Sequence, residues 1–428
     1  MVPRLFAGFV SMVLSVSAVM MPFMAAAADT LPPESSYIGK IRRNEHGQIV
    51  AMPEAAPIEK PANAGEDARV IRVGPSQTVR SIATAAKLAK DGDTIEIEAG
   101  DYLGDVAIWN QNNLVIRGVG GHARLIAAGA SAEKKAIWVV RGGSITVENI
   151  EFTGARVPDK NGAGIRFEKG RLVIRNCRFI DNENGILTGG GDAELDIENS
   201  EFGHNGAGDG YSHNLYVGAL RRLRVTGSHF HHARVGHLLK SRAAENHILY
   251  NRLTDETGGR ASYELEFPNG GITYVIGNIV EQSATTENGN IVSFGAEGYK
   301  HPANELYLIN NTLDNNRPQG GGFLDVKPGA QVVKAYNNLL IGKGPLNTGI
   351  DGEFINNPNV GWEPFVLPQR HDYRIKRGSP LHRTYVPPGS ANNVTLAPDR
   401  EYLHPAATRP LATTPTLPGA RQTLQPEL

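Results

Sequence analysis

The sequence is poor in cysteine, in aromatic side chains and in net charge, and each shortage excludes a class of protein. The single cysteine, Cys177, cannot form an internal disulfide, which excludes a disulfide-stabilised scaffold. A formal net charge of -1 without a basic run argues against a nucleic-acid partner. Aromatic residues make up 7% of the chain, so a core of Ile, Val and Leu is expected, and such a core favours stacked strands over a helical bundle.

Long apolar runs are also missing, except at the N-terminus. Arg4 precedes an apolar stretch that ends in four alanines, and this pattern predicts an export signal over residues 1–28. Serines and Pro22 interrupt the stretch, which favours cleavage over a membrane anchor. We therefore expect a periplasmic or secreted protein with no membrane contact after cleavage. Residues 29–68 are rich in Pro, Ala and Glu and predict an extended, poorly ordered lead-in.

A repeat of about 27 residues is the strongest pattern in the chain. A unit of this length, made of short strands and turns, leaves no room for a helix and predicts the coils of a parallel β-solenoid. Asn suits its turns because it tolerates left-handed backbone and because its amide can bond the coils above and below. The turn residues, with a mean spacing of 27 residues over seven intervals, are Asn149, Asn176, Asn199, Gly227, Asn251, Asn278, Asn311 and Asn338.

A short helix is predicted just before the repeats. Residues 79–89 carry apolar side chains at helical spacing, and Ser76 or Thr78 can serve as the N-cap. A solenoid must cover the apolar end of its first coil, and an amphipathic helix at this place would do so.

The repeat fades towards the C-terminus, and we place the solenoid domain at residues 69–382. Residues 383–428 are rich in Pro, Thr and Ala. They predict a C-terminal arm that packs along the solenoid to about residue 405 and is disordered beyond it.

Several of these segments resemble a known group of proteins. The opening residues 91–95 and 99–102, the Asn-turn coils, and the closing residues 372–375 and 378–380 resemble right-handed parallel β-helix proteins of the pectate lyase-like superfamily. The resemblance covers roughly residues 69–382 and implies an all-β, right-handed parallel β-helix. The superfamily includes polysaccharide lyases, C5-epimerases, hydrolases, esterases and non-enzymatic adhesins, so the function must be argued from the site.

Outward positions of successive coils form ladders, and one ladder concentrates polar side chains. Coils stack about 4.8 Å apart, so these side chains lie close enough to act on one linear chain. A solvated face of surface ion pairs, each worth little, is the alternative. With the apolar residues inward, the outward residues are Arg166, Glu168, Asn214, Tyr216, Lys240, Glu264, Glu266, Asn290, Asp325 and Lys327.

This groove fits β-elimination from a uronate-containing chain, which requires a base, a group that neutralises the carboxylate and an acid. Lys240, or neutral His213 or His237, is the expected base, and the guanidinium of Arg242 fits the two carboxylate oxygens. The Lys240–Ser241 pair also resembles the chondroitinase B and alginate lyase group, in which a Lys is the base.

The remaining roles fall on neighbouring polar residues. Tyr216 or Tyr263 would donate a proton to the leaving oxygen. The residues expected to contact the polysaccharide are Asn214, Tyr216, Arg166, Asn290 and Asn269, although a structural turn role is the alternative for Asn269.

Metal binding is left open by the sequence. Glu264 and Glu266 form a predicted outward pair that could bind calcium with Asn290, or act as acid and base in glycoside hydrolysis. In the chondroitinase B and alginate lyase group, an Arg is expected at this place on the next coil. His229, His231, His232 and His237 lie close in sequence, but zinc requires three or four converging ligands. An exposed polar turn is the alternative.

The leading interpretation is a polysaccharide lyase that acts on an acidic polysaccharide as a monomer. A glycoside hydrolase or C5-epimerase using the same groove is the second. A non-catalytic carbohydrate-binding protein of an exopolysaccharide system is the third.

Overall fold

A computed structural model of the protein describes residues 42–43, 49–50, 69–346 and 349–424. The predicted export signal and nearly all of the predicted lead-in lie outside these residues. Within residues 42–50, strands Arg42–Arg43 and Ile49–Val50 pair antiparallel. In the described part of the chain, no helix is long and apolar enough to cross a membrane.

The repeat folds into a right-handed parallel β-solenoid of about 10 turns with about 27 residues per coil, which confirms the predicted architecture. Within the described residues, one nine-stranded sheet runs along the solenoid, and we call it the groove sheet. Its strands are Ala107–Trp109, Ala136–Val140, Ala163–Phe167, Asn184–Thr188, Leu215–Val217, Leu239–Ser241, Leu265–Phe267, Asn290–Phe294 and Gly322–Val326.

A second parallel sheet of 21 strands, in two columns, wraps the rest of the solenoid. The first column contains Val70–Val73, Thr94–Leu103, Leu114–Ile126, Ser144–Glu148, Arg171–Arg175, Gly191–Glu198, Leu220–Thr226, Glu245–Leu249, Ile272–Ile276, Glu305–Ile309, Val332–Tyr336 and Glu353–Ile355. The second contains Ile150–Thr153, Arg178–Ile180, Glu201–Gly203, His229–His231, Arg252–Thr254, Ile279–Gln282, Thr312–Asn315, Leu339–Gly342 and Asn359–Val360.

Like residues stack through the core from coil to coil. The rings of Phe152, Phe179, Phe202 and Phe230 lie parallel, with centroid separations of 5.0, 4.7 and 4.6 Å, and all four are fully buried. Burial of each such ring contributes roughly 1.5–3 kcal/mol. This packing fixes which strand positions face inward, and therefore which positions can line an outer surface.

The Asn turns join the two columns of the second sheet, and they use two adjacent positions rather than the single one predicted. Asn149 has a left-handed backbone with φ 57°. In later coils the left-handed residue comes one position earlier, as at Tyr250, and Asn251 then points inward. The predicted Asn positions therefore mix two different sites: the left-handed turn residue in early coils and the residue after it in late coils. Asn occurs at both because it can adopt left-handed backbone and can also hydrogen-bond to the Asn of the next coil.

The predicted capping helix is present at Ile82–Leu88, but its N-cap is Ser81 rather than Ser76 or Thr78. The Ser81 hydroxyl accepts a hydrogen bond from the Thr84 amide at 3.2 Å. The Asp105 carboxylate accepts two further amides of the first turn, at 2.6 and 2.8 Å. Buried Ile82 and Ala85 face the core and cover the first coil.

The C-terminal arm packs along the solenoid well beyond residue 405, so the predicted disorder there is wrong. Leu417 and Ala420 are buried, and the Asn310 side chain donates to the Leu417 carbonyl at 3.0 Å. Contacts with distant coils supply the order that local composition does not indicate. The closing region contains the 3-10 helix Pro368–Arg370 and the antiparallel strand pairs Phe365–Leu367 with Asp372–Ile375, Ser390–Ala391 with Val394–Thr395, and Arg400–Leu403 with Ala407–Pro410.

Candidate active site

The outward ladder of the groove sheet carries the polar residues at the centre of the predicted site. Tyr216 pairs with Lys240, and Lys240 pairs with Glu266 on the next coil. Leu239 faces the core, which fixes the orientation of Lys240. The predicted order of these three residues is confirmed.

A second column of polar side chains lies three residues before the ladder in each coil, at the edge of the same sheet. His213, His237, Tyr263 and Asn290 each stand two residues before the inward apolar residue of their coil. The rings of His213 and His237 lie 4.5 Å apart, and His237 packs edge-on against Tyr263 at 5.1 Å. The structure therefore brings His213 and His237 beside the Lys240 ladder.

Asn214 and Glu264 point into the solenoid, so their predicted outward orientation is wrong. Both are completely buried, at the position that Leu238 occupies on the coil between them. Strict alternation fails there because the chain is still turning a corner: the strands begin only at Leu215 and Leu265. Asn214 donates to the His231 carbonyl at 2.8 Å and is a core residue rather than a polysaccharide contact.

An open cleft of about 430 Å³ lies over the ladder at these coils. It combines cationic and aromatic side chains with a single carboxylate among its lining residues. The lining residues are Asn161, Asn184, Leu187, Gly210, Tyr211, His213, Tyr216, Lys240, Arg242 and Glu297.

The Glu297 carboxylate is held by both cations of the cleft. Arg242 contacts both of its oxygens through Nη2, at 2.6 and 2.8 Å, and Lys240 Nζ lies 3.2 Å from Oε1. Arg242 also donates to the Tyr216 hydroxyl and lies over the Tyr216 ring, 5.1 Å from its centroid. These contacts define a carboxylate-binding position, and in the free protein the chain fills it itself.

The buried pair of His237 and Glu266 holds the Lys240 ammonium in place. Its Nζ lies 2.8 Å from Glu266 Oε2, and His237 Nε2 lies 2.7 Å from the same oxygen. Burial alone would raise the pKa of Glu266, but the hydrogen bond and charge of His237, followed by those of Lys240, outweigh it and lower the pKa to about 2. Glu266 is therefore ionised at neutral pH and orients Lys240.

His213 presents a hydrogen-bond donor to the cleft. The His237 backbone amide donates to His213 Nδ1 at 2.9 Å, so in a neutral ring the proton lies on Nε2. Burial, followed by the nearby charges of His237, Lys240 and Arg242, lowers the pKa of His213 well below its ordinary value. The ring is therefore neutral and adds a third donor to the two cations.

The sequence of residues 105–341 matches the family described as the right-handed β-helix region. The chain belongs to this family. A search of curated protein sequences finds no match.

Solved structures resemble this β-helix family member at low identity. The pectate lyase Pel9A matches with a TM-score of 0.55 and 14% identity, over 83% of this chain and 96% of its own. ORF18 of Geobacillus virus E2 matches with a TM-score of 0.41 and 13% identity, over 63% and 53%. A pectin methylesterase from Aspergillus niger matches with a TM-score of 0.30 and 13% identity, over 71% and 88%. The likeness to Pel9A, at 14% identity, concerns the fold alone, so the chemistry must be argued from the site.

Several predicted substrate contacts of this β-helix protein lie outside the cleft lining. Arg166 is on the same ladder but two coils before Tyr216, beyond Leu187. Asn290 faces outward and donates to Asp325 at 3.4 Å. Asn269 is buried, and its side chain donates to the Gly298 carbonyl at 3.3 Å. Asn269 thus supports the loop that carries Glu297, which agrees with the structural alternative.

The predicted calcium pair does not form. Glu266 is bound by Lys240 and His237, whereas the Glu264 carboxylate lies in the core, where it accepts from Gln282 at 3.3 Å. Burial raises the pKa of Glu264 well above its ordinary value. The two carboxylates diverge and fit neither a calcium ion nor the acid and base of a glycoside hydrolase.

The prediction missed Glu297 and Tyr211. Glu297 follows the groove strand on a loop and reaches back to Arg242, 55 residues earlier in the chain. Tyr211 stands at the cleft edge with 86% of its surface exposed. The cluster of glycines before Tyr211 indicates a surface loop, and an exposed ring on such a loop would have been a detectable signal.

Proposed function

We propose that this β-helix protein binds an acidic, uronate-containing polysaccharide in the cleft and cleaves it by β-elimination. The single observation that carries the proposal is the Glu297 carboxylate held by Arg242 and Lys240. A uronate carboxylate has the same charge and two-oxygen geometry, so it can replace Glu297 on the same donors. The exposed Tyr211 ring offers a stacking surface for a neighbouring sugar.

The proposed reaction moves one proton at each end of the broken bond. Once the Lys240 ammonium has lost one proton to solvent, its amine takes the proton from C5, and the electrons of the C5–H bond form a C4–C5 double bond. The C4–O4 bond breaks, and Tyr216 donates its hydroxyl proton to the leaving oxygen. Arg242 and His213 stabilise the negative charge that develops on the carboxylate.

His237 and Tyr263 have supporting roles in this scheme. His237 bonds Glu266 and, through its backbone amide, His213, and it does not line the cleft. Tyr263 packs on His237. We therefore treat both as positioning residues rather than as the base and the acid.

A non-catalytic polysaccharide-binding protein is the second candidate, and one observation favours it. Lys240 lies between the carboxylates of Glu266 and Glu297, an arrangement that suits a fixed cation. His213 offers N–H rather than a free lone pair to the cleft. If Lys240 stays protonated, the cleft would bind acidic sugars without removing a proton.

A panel of polyuronates separates these functions. The protein is incubated with polygalacturonate, alginate and a glucuronate-containing glycosaminoglycan, while the ultraviolet absorbance of the unsaturated product is followed. A lyase gives a rising signal that Lys240→Ala reduces at least 100-fold. A hydrolase gives reducing ends without absorbance, an epimerase changes sugar configuration without cleavage, and a binder gives none of these. Full activity in Lys240→Ala would overturn the assignment of the base.

We also propose that the protein is exported, supported by the apolar stretch and the alanine-rich site within residues 1–28. Fractionation of cells that express the full chain tests this, with recovery in the cytoplasmic fraction at full precursor mass as the contrary result.

A further inference from the structure

Three histidines outside the cleft meet on two successive coils. His204 follows strand Glu201–Gly203, and His232 follows strand His229–His231 on the next coil. One ring nitrogen each from His204, His231 and His232 lies within 4.8 Å of the others. His237, which was grouped with these residues by sequence, lies instead at the groove sheet, where it contacts Glu266.

The rings of the three histidines are in contact with one another. Nδ1 of His231 and Nδ1 of His232 are 2.9 Å apart, and the His204 ring stacks on His232 at 4.6 Å between centroids. Zinc–nitrogen bonds of about 2.0–2.1 Å imply roughly 3.4 Å between two ligand nitrogens in a tetrahedral site. The His231–His232 pair is closer than this separation and would open by about 0.5 Å on binding, and His204, which lies within 4.8 Å of the other two nitrogens, would move inward by at most about 1.4 Å.

His231 has a carboxylate next to its second ring nitrogen, as metal-binding histidines usually have. His231 turns Nδ1 towards His232, while its Nε2 lies 3.2 Å from Glu201 Oε1. Glu201 is itself fixed by Arg178 at 2.8 Å. A carboxylate on the far nitrogen of a ligating histidine sets the tautomer and orients the ring.

The backbone also favours this arrangement. His204 and His232 both adopt left-handed conformations, with φ 56° and 46°, so their side chains leave equivalent turns in the same direction. The His231 ring lies over Gly203, where any added Cβ would collide with it. His204 is exposed and His231 is buried, so the cluster has a built interior and one open side.

We propose that His204, His231 and His232 bind one divalent late transition metal ion of the zinc class, with Glu201 as the partner of His231 and solvent in the remaining position. Neutral imidazole suits zinc, copper and nickel, whereas calcium and magnesium prefer oxygen ligands. The ion would join two adjacent coils outside the cleft, so this inference does not depend on the proposed function.

The test uses tag-free, chelator-treated protein titrated with cobalt(II), which reports coordination by visible absorbance, followed by displacement with zinc. We expect one ion per chain, an affinity loss of at least tenfold in His204→Ala and in His232→Ala, and a loss of 10- to 100-fold in Glu201→Gln. Zinc should raise the Tm of the native chain but not that of His232→Ala.

His382→Ala is the matched control, because His382 lies in the closing region and contacts the Lys376 carbonyl. It should bind cobalt as the native chain does. Thermal unfolding without metal checks that each variant is folded. The proposal is overturned if the folded native chain binds no cobalt, or if His204→Ala and His232→Ala bind as tightly as His382→Ala.

Discussion

Glu297 occupies the anion position of the cleft between Arg242 and Lys240. Its carboxylate competes with the carboxylate of an incoming uronate. Burial alone would raise the pKa of Glu297, but the hydrogen bond from Arg242 and the charge of Lys240 outweigh burial and lower this pKa. The Glu297 carboxylate is therefore ionised at neutral pH. The residue therefore acts as an internal competitor at neutral pH.

Replacement of this competitor should strengthen polysaccharide binding. In Glu297→Gln the cations lose their resident partner, and we expect the Kd for a polyuronate to fall about three- to tenfold, corresponding to about 1 kcal/mol. Calorimetric titration measures it. Glu287→Gln is the control, because Glu287 forms a similar ion pair with Arg260 that does not line the cleft. Weaker binding in Glu297→Gln would mean that Glu297 contacts the substrate itself.

Asp314 makes the stability of the folded chain depend on pH. It is buried, it accepts from Tyr373 at 2.6 Å, and burial raises its pKa to about 6. Because this pKa is higher than in the unfolded chain, the native state holds the proton more tightly. The stability that Asp314 contributes is therefore lost as pH rises from about 4 through 6.

Asp314→Asn removes this titration. Relative to the native chain, the variant should gain roughly 1 kcal/mol in unfolding free energy between pH 5 and pH 8. Denaturant unfolding at both values measures the difference, with Asp159→Asn, at an exposed site, as the control. A difference between native chain and variant that is independent of pH would contradict the assigned environment of Asp314.

Within one element, the turn between the two strand columns, a stack of buried Asn side chains stabilises the backbone through hydrogen bonds. Asn278 Oδ1 accepts both the backbone and the side-chain amide of Asn251, at 2.8 and 3.0 Å. Its own side chain donates to Asn311 Oδ1 at 3.0 Å and to the Ile248 carbonyl at 2.8 Å. Since Asn278 is fully buried, its removal leaves these partners unsatisfied.

Asn278→Ala should therefore lower the unfolding free energy by roughly 2–4 kcal/mol. Asn278→Ser should lose less, because Ser200 and Ser228 occupy this stack position in earlier coils and bond through their hydroxyls. Asn110→Ala, at an exposed site, is the control. Equal effects of Asn278→Ala and Asn110→Ala in denaturant unfolding would contradict the importance of the stack.

The periodicity of the sequence predicted the orientation of some groove-sheet residues correctly and of others wrongly. The repeat predicted the coils and the order of Tyr216, Lys240 and Glu266, because inward apolar residues fix the register. The predicted orientation was wrong for Asn214 and Glu264, because we applied the inward–outward alternation of a strand to residues that precede the strand. At this corner of the coil, two consecutive residues face inward. Short strands of three residues give alternation too little length to mark where each begins.

At the scale of the whole molecule, contacts between distant segments account for what the sequence did not reveal. Glu297 reaches Lys240 from a loop 57 residues away, and the arm meets the solenoid through pairs such as Asn310 and Leu417, 107 residues apart. No local pattern encodes such contacts. The fold was predictable because each coil repeats its neighbour, whereas the cleft depends on a loop that has no counterpart in the repeat.

The whole molecule has almost no net charge, so selection of an acidic polysaccharide must come from the cleft rather than from a general surface field. We infer that Arg242 and Lys240 select the acid by forming a carboxylate-binding position. Calorimetric titration of the native chain and of Arg242→Ala with a polyuronate, and with its methyl ester as the uncharged counterpart, tests this claim. We expect the native chain to bind the acid form, Arg242→Ala to bind it at least tenfold more weakly, and neither to bind the ester measurably. Equal affinity of the native chain for acid and ester would contradict this claim.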